Sequence, residues 1–134
     1  MARRFQLPKP VTNFIPEHQG TLRMGYFFHK AREQNPNASD KPFRYRGPRP
    51  QSKETAVLML ADGCEAALRS MPPETSEAEA KDAVRRIIQA RKYDKQLALS
   101  GLETAESELL VAAFVQVWKR MRHRRIPYPI PARK

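Results

Sequence analysis

The sequence predicts an all-α fold of about five helices. Three observations lead there. Apolar residues recur at three- and four-residue spacings over several long stretches, the period of a helix with one buried face. No stretch of useful length alternates apolar and polar residues as a half-buried strand would. Twelve prolines against five glycines mark stiff breaks between helices rather than flexible linkers. The chain shows neither an internal repeat nor a low-complexity tract.

Phe5 to Glu17 reads as a proline-bounded lead-in, with a short helix from about Pro10 that kinks or ends near Pro16. Thr21 to Gln34 reads as a helix with Leu22, Tyr26, Phe27 and Lys30 near one face. Asn35-Pro-Asn-Ala-Ser-Asp-Lys-Pro is loop by composition. It runs on through Phe43-Arg-Tyr-Arg-Gly-Pro-Arg-Pro, a connection of about seventeen residues. Structureless connections of that length are functional or disordered. Ser52 then opens the clearest helix, with Glu54-Thr-Ala in its first turn. Val57, Leu60, Ala61, Cys64, Leu68 and Met71 form its stripe, while Leu58, Met59 and Ala66 make the other face apolar too. Such a helix is buried on several sides. Asp62 interrupts it, about 140° round from the stripe at 100° per residue. Pro72-Pro73 breaks the helix and Thr75-Ser-Glu-Ala caps the next, where Ala80, Val84, Ile87, Ile88 and the stem of Arg91 make a narrow stripe. Gly101 ends a turn, Thr104 caps the last helix, and Leu110, Phe114, Val117, Trp118 and Met121 form its buried face.

With 134 residues the chain has room for one domain. Its longest apolar run, Leu109 to Val115, is far short of the roughly 20 residues of a membrane span. Met1-Ala-Arg-Arg leads into no apolar stretch of the kind a signal peptide has. One cysteine, Cys64, excludes an internal disulfide and a Cys-rich zinc module, and suits a reducing compartment. The net charge of +11 is unevenly placed. Residues 54–118 carry eleven acids and seven bases, residues 23–53 eight bases and two acids, and residues 119–134 seven bases and no acid. Clustered positive charge of this kind attracts phosphate.

Few residues offer chemistry. His123 lies in a basic helix end, where cations suit the dipole. His29 follows two phenylalanines and reads as a packing or solvated residue. His18 differs, because it lies in Ile15-Pro-Glu-His-Gln-Gly-Thr beside a glycine turn, where a ring nitrogen can be presented to a metal or a phosphate. Asp62, in Val57-Leu-Met-Leu-Ala-Asp-Gly-Cys, is costly to bury unless paired or metal-bound. Cys64 falls on the core stripe and reads as a small hydrophobe. Phosphate-cradling glycine loops and His-Glu-x-x-His do not occur.

Several runs resemble one family. Leu7-Pro-Lys-Pro-Val-Thr-Asn-Phe-Ile-Pro-Glu-His-Gln-Gly-Thr-Leu is similar to the segment around the paired histidines of HD-domain phosphohydrolases. The subfamily it most resembles is the intracellular HD domain of bacterial seven-transmembrane-HD receptors, the cyclic di-AMP phosphodiesterases. Tyr26-Phe-Phe-His-Lys-Ala resembles the following helix, and Phe43-Arg-Tyr-Arg-Gly-Pro-Arg-Pro-Gln-Ser-Lys-Glu-Thr-Ala the long loop and next helix start. Leu60-Ala-Asp-Gly-Cys-Glu-Ala-Ala-Leu-Arg-Ser resembles the final metal-aspartate motif. Similarity continues more loosely to Arg124-Arg-Ile-Pro-Tyr-Pro.

The resemblance implies that His18 is the first of the paired histidines and Asp62 the last metal-binding aspartate. Gln19 stands where many relatives have the second histidine, so that ligand is altered. The family's earlier histidine, His-Asp pair and further histidine have no counterpart, since no His-Asp dipeptide occurs and no histidine precedes His18. The expectation is therefore a partial HD-domain helical bundle lacking its N-terminal helices. Residues 1–126 would be the C-terminal portion of the domain and residues 127–134 a basic, proline-rich tail.

For function, the resemblance implies a metal-dependent phosphohydrolase fragment from a family that hydrolyses cyclic di-AMP to pApA. In the complete domain two divalent ions, Mn or Fe, would activate the attacking water. Arg44, Arg46, Arg49 and Lys53 would clamp a phosphate of the cyclic dinucleotide, with Tyr45 beside its base. Tyr26 and Phe27 could also offer ring faces, although core packing is their first expected role. The isolated chain should have negligible activity and expose apolar surface, to be covered by the missing N-terminal half or by self-association. A cytoplasmic location follows. The alternative is a non-catalytic nucleotide-, RNA- or protein-binding module using the basic 41–53 loop and the basic tail.

Overall fold

The computed structural model describes residues 6–124, and its regular structure there is all helical. Two single turns, α1 (Lys9–Thr12) and α2 (Phe14–Glu17), precede α3 (Gly25–Gln34), α4 (Lys53–Arg69), α5 (Glu77–Tyr93) and α6 (Thr104–Arg124). The tail at 127–134 lies outside the described residues.

The last three helices form the core. Ala56, Met59, Leu60, Cys64 and Leu68 of α4 are buried against Ala80, Val84 and Ile88 of α5 and Val111 and Val115 of α6. The buried stripe of α4 is thus rotated toward Ala56 and Met59, and Val57, Ala61 and Met71 are only half-buried. Helix α6 is rotated as well. Its fully buried line is Ser107, Val111 and Val115, while Leu110, Phe114 and Trp118 flank it and Val117 is 52% exposed. The shift has a physical reason, since two neighbouring helices share the α6 surface and the line midway between them is the one most enclosed.

Local chemistry sets the helix starts. The Ser52 hydroxyl accepts from Thr55 N–H at 3.2 Å. A capping box closes the start of α5, with Glu79 N–H on Ser76 Oγ at 3.1 Å and Ser76 N–H on Glu79 Oε1 at 3.2 Å. Before α6 the Glu103 N–H donates to Glu106 Oε1, so the cap falls one residue ahead of Thr104. Arg122 donates to the Pro73 and Thr75 carbonyls, tying the far end of α6 to the Pro72-Pro73 turn.

The N-terminal part departs from the sequence reading. Residues 21–24 are not helical; Arg23 and Arg44 form an antiparallel bridge instead. Met24 N–H donates to the Phe43 carbonyl and Tyr45 N–H to the Leu22 carbonyl. Leu22 therefore packs from an extended segment, not from the helix expected at 21–34. Two features enforce this. Gly20 turns the chain with φ +52°, and the Leu22 carbonyl, which a helix from Thr21 would use for an internal bond, is taken by Tyr45 N–H instead. The same pairing, with a 3-10 turn at Lys41–Phe43, gives the long 35–51 connection structure.

Candidate active site

His18 caps the end of α2. Its Nδ1 lies 2.7 Å from the Phe14 carbonyl oxygen. A carbonyl only accepts, so Nδ1 carries the proton and Nε2 is the nitrogen with a lone pair to offer. The neighbouring Glu17 fixes this turn against α4. Its buried carboxylate Oε1 accepts from Gln51 N–H at 2.7 Å and from Thr55 Oγ1 at 2.9 Å, beside the start of that helix, where a negative charge is favoured. On the other side Gly20 is packed so closely that a Cβ there would lie 2.6 Å from both Gln96 Oε1 and Met59 Cε. His18 is thus held between two polar anchors.

Asp62 comes from α4. It is exposed on the face of α4 that also carries Leu58 and Ala66, away from the buried stripe. The cost of burying a carboxylate therefore does not arise in these 119 described residues, 6–124. His18, Gln19 and Asp62 line one cavity of about 490 Å³, together with Tyr45, Arg69 and Arg91. Tyr26 and Phe27 stand at its edge, 69% and 60% exposed, so they are not core residues despite their helical position.

Of the other expected contacts, Tyr45 lines this cavity and the four cations do not. Arg44 is held by Asp40 and Asp94 and by the Thr21 carbonyl. Arg49 donates to the Lys95 carbonyl, and Lys53 pairs with Glu106 at 3.0 Å. Arg46 is exposed. His29 pairs with Glu33 on the surface of α3. Cys64 is buried, which pushes its thiol up to about 11, with Arg91 drawing it partly back.

Three residues that shape the site escaped the sequence reading. Glu17 carried a signal in its place beside His18. Gln96 carried none, because a polar residue in a turn looks solvated until its partner 75 residues away is known. Arg91 was read only for its aliphatic stem. Among the described residues no group of three or more His, Cys, Asp or Glu side chains converges as a metal shell would require. His18 and Asp62 are two donors, fewer than a divalent ion commonly takes from protein, so these residues do not form a metal centre by themselves.

A second, larger concavity of about 740 Å³ runs beside the site. Cys64, Leu68, Met71, Phe114, Trp118 and Met121 make it apolar, and it shares Glu65 and Arg69 with the His18–Asp62 cavity.

No family model matches the chain. Its relatives are nevertheless clear. The cyclic-di-AMP phosphodiesterase PgpH of Bacillus subtilis is 35% identical over 134 residues, covering 100% of this chain and 19% of PgpH. The solved HD domain of Listeria monocytogenes PgpH in complex with cyclic-di-AMP superposes with a TM-score of 0.82 at 29% identity, covering 90% of this chain and 56% of that one. The chain is homologous to the PgpH HD domain over most of its length. An uncharacterized protein of Synechocystis sp., slr0104, is 48% identical over 96% of this chain and 16% of its own length. The chain thus spans about half of the solved PgpH HD domain and under a fifth of the curated relatives it matches. As an all-helical unit it agrees with the PgpH domain, and no helix among its described residues is long and apolar enough to cross a membrane.

Proposed function

We propose that this chain forms one wall of a phosphodiester-hydrolysing HD site whose substrate is a cyclic dinucleotide, cyclic di-AMP by analogy with PgpH. The observation that carries the reading is the placement of His18, with Nε2 free to ligate, and Asp62 on the same cavity. In this reading the two residues each give a donor to a divalent metal centre of the Mn or Fe type. The remaining donors come from outside these 134 residues, and no turnover is expected from the chain by itself. Gln19 borders the same cavity and offers an amide oxygen, a weaker donor than imidazole. Tyr26, Phe27 and Tyr45 supply ring faces for the bases. The rest of an HD domain fills the apolar groove, whose shared wall with the cavity would bring its donors next to Asp62. Such a domain works in the cytoplasm, where a lone reduced cysteine is at home.

A chimera tests this. Residues 6–124 replace the matching segment of the Listeria PgpH HD domain, and hydrolysis of cyclic di-AMP with Mn²⁺ is followed by chromatography. The expected result is turnover to the linear dinucleotide that is lost in His18→Ala and in Asp62→Ala. Turnover that survives both substitutions would remove these residues from the mechanism. A Gln19→His variant reports whether the altered ligand position limits the rate.

A further inference from the structure

Of the cations first expected to clamp the phosphate, Arg44, Arg49 and Lys53 are engaged elsewhere and Arg46 lies off the cavity, which contains a different arginine in a more telling position. We infer that Arg91 is the phosphate-binding residue of the cavity shared by His18 and Asp62. Arg91 lies near the C-terminal end of α5, half-buried. One of its terminal nitrogens, Nη2, comes within 3.2 Å of where a Cβ on Gly63 would be, so the guanidinium lies against the α4 backbone at the residue following Asp62. Its Nε is shut off from solvent and has no hydrogen-bond partner. Among the described residues, Arg91 takes part in none of the ion pairs.

The two other arginines on the cavity behave differently. Arg69 pairs with Glu65 at 3.6 Å, and the Arg23 guanidinium stacks 4.6 Å from the Phe28 ring centre. Arg91 alone among these three has a half-buried charge with an unmet donor. A guanidinium offers five N–H groups in a planar fork matched to phosphate, and a charge-assisted bond there is stronger than a neutral one. An anionic oxygen in the cavity would meet the terminal nitrogens of the fork, since Arg91 and Gly63 both line it, and would balance the half-buried charge close to the carboxylate and imidazole. Gly63 has a role in the same arrangement, since a Cβ there would make the guanidinium give by a few tenths of an ångström. The choice of a cyclic dinucleotide as ligand rests on the reading above; the choice of a phosphate oxygen rests on the arginine.

The test uses the 134-residue chain without added metal. Arginine Nε–Hε cross-peaks are recorded by NMR during titration with inorganic phosphate and, separately, with cyclic di-AMP. The buried Nε of Arg91 exchanges slowly with water, so its peak is observable near neutral pH. Both ligands are expected to move that peak. Arg91→Lys should weaken binding by about tenfold or more, because it keeps the charge and loses the fork. Gly63→Ala should weaken it in the same direction, and Arg46→Ala should leave it unchanged. Binding that leaves the Arg91 peak still, or that survives Arg91→Lys at full strength, overturns the assignment. Absence of any shift with either ligand overturns it as well. Phosphate moving the peak while cyclic di-AMP does not would keep Arg91 as an anion site and defeat the cyclic dinucleotide reading instead. Because the wild-type titration alone is decisive, a variant that fails to fold does not blunt the test.

Discussion

Helices α4, α5 and α6 are held by apolar contact, whereas the segment from Pro8 to Pro50 adds little beyond Leu22 and Pro50 to the buried apolar surface and is fastened by a handful of polar ties. In the first region eleven hydrophobic side chains form the buried cluster, all from residue 56 onward. In the second, Glu17 fastens α2 to the start of α4, Gln96 fastens Thr21, and Arg44 fastens the long loop to Asp94. The candidate site straddles the two, with Asp62 from the first and His18 from the second. The contrast teaches that the two walls of the site have different physical origins, so they should fail under different perturbations.

The largest effect is expected from the apolar region. Leu60→Ala should cost about 2–5 kcal/mol in urea unfolding and remove both regions together, because the polar segment docks on this core. Gly20→Ala comes next. A positive φ and two contacts at 2.6 Å should cost about 1–3 kcal/mol and shift the His18 ring resonances, while the far-ultraviolet helix signal persists. Gln96→Leu should cost about 1–3 kcal/mol, since it leaves the Thr21 N–H without its acceptor. Equal loss of α4–α6 protection in hydrogen exchange for Gly20→Ala and Leu60→Ala would erase the distinction between the regions.

A pH series sharpens the apolar side. The Cys64 thiol is raised from 9.0 to about 11 in the folded chain. Between those values the unfolded state has lost the proton that the folded state keeps, so stability is full below pH 9.0 and declines as pH rises toward about 11. Unfolding midpoints measured across that range should fall for the wild type and flatten in Cys64→Ala. The smallest effect belongs to the surface. Arg85 bridges Asp82 and Glu108 in full solvent, and Arg85→Ala should leave the thermal midpoint where it was in moderate salt.

The same contrast explains what could be read from the sequence. Ser52 and Ser76 announced their helices through local capping chemistry, and the stripe of α5 followed from period alone. The stripes of α4 and α6 came out rotated, because period says which residues are apolar but not how two neighbours divide them. Helix α3 was expected four residues too early, at Thr21, since nothing local reveals that residues 22–24 will pair with 43–45. For the site, Asp62 stood out as a carboxylate in an apolar helix and His18 as a histidine on a glycine turn. The expected cation clamp was less legible. Arg44, Arg49 and Lys53 form a basic cluster in the sequence, yet each finds its partner in a distant segment.

The tie between Thr21 and Gln96 also has a consequence in time. Helices α4, α5 and α6 are consecutive, so the contacts of α4 with α5 and of α5 with α6 close short loops and can form early in folding. The Gln96 bond instead joins groups 75 residues apart, and the Glu17–Thr55 bond groups 38 apart. Each closes a long loop whose entropy must be lost before the bond returns anything. His18 should therefore take its place only after Asp62 is already held, and refolding followed at the two positions should show the aspartate wall set first and the histidine arriving second.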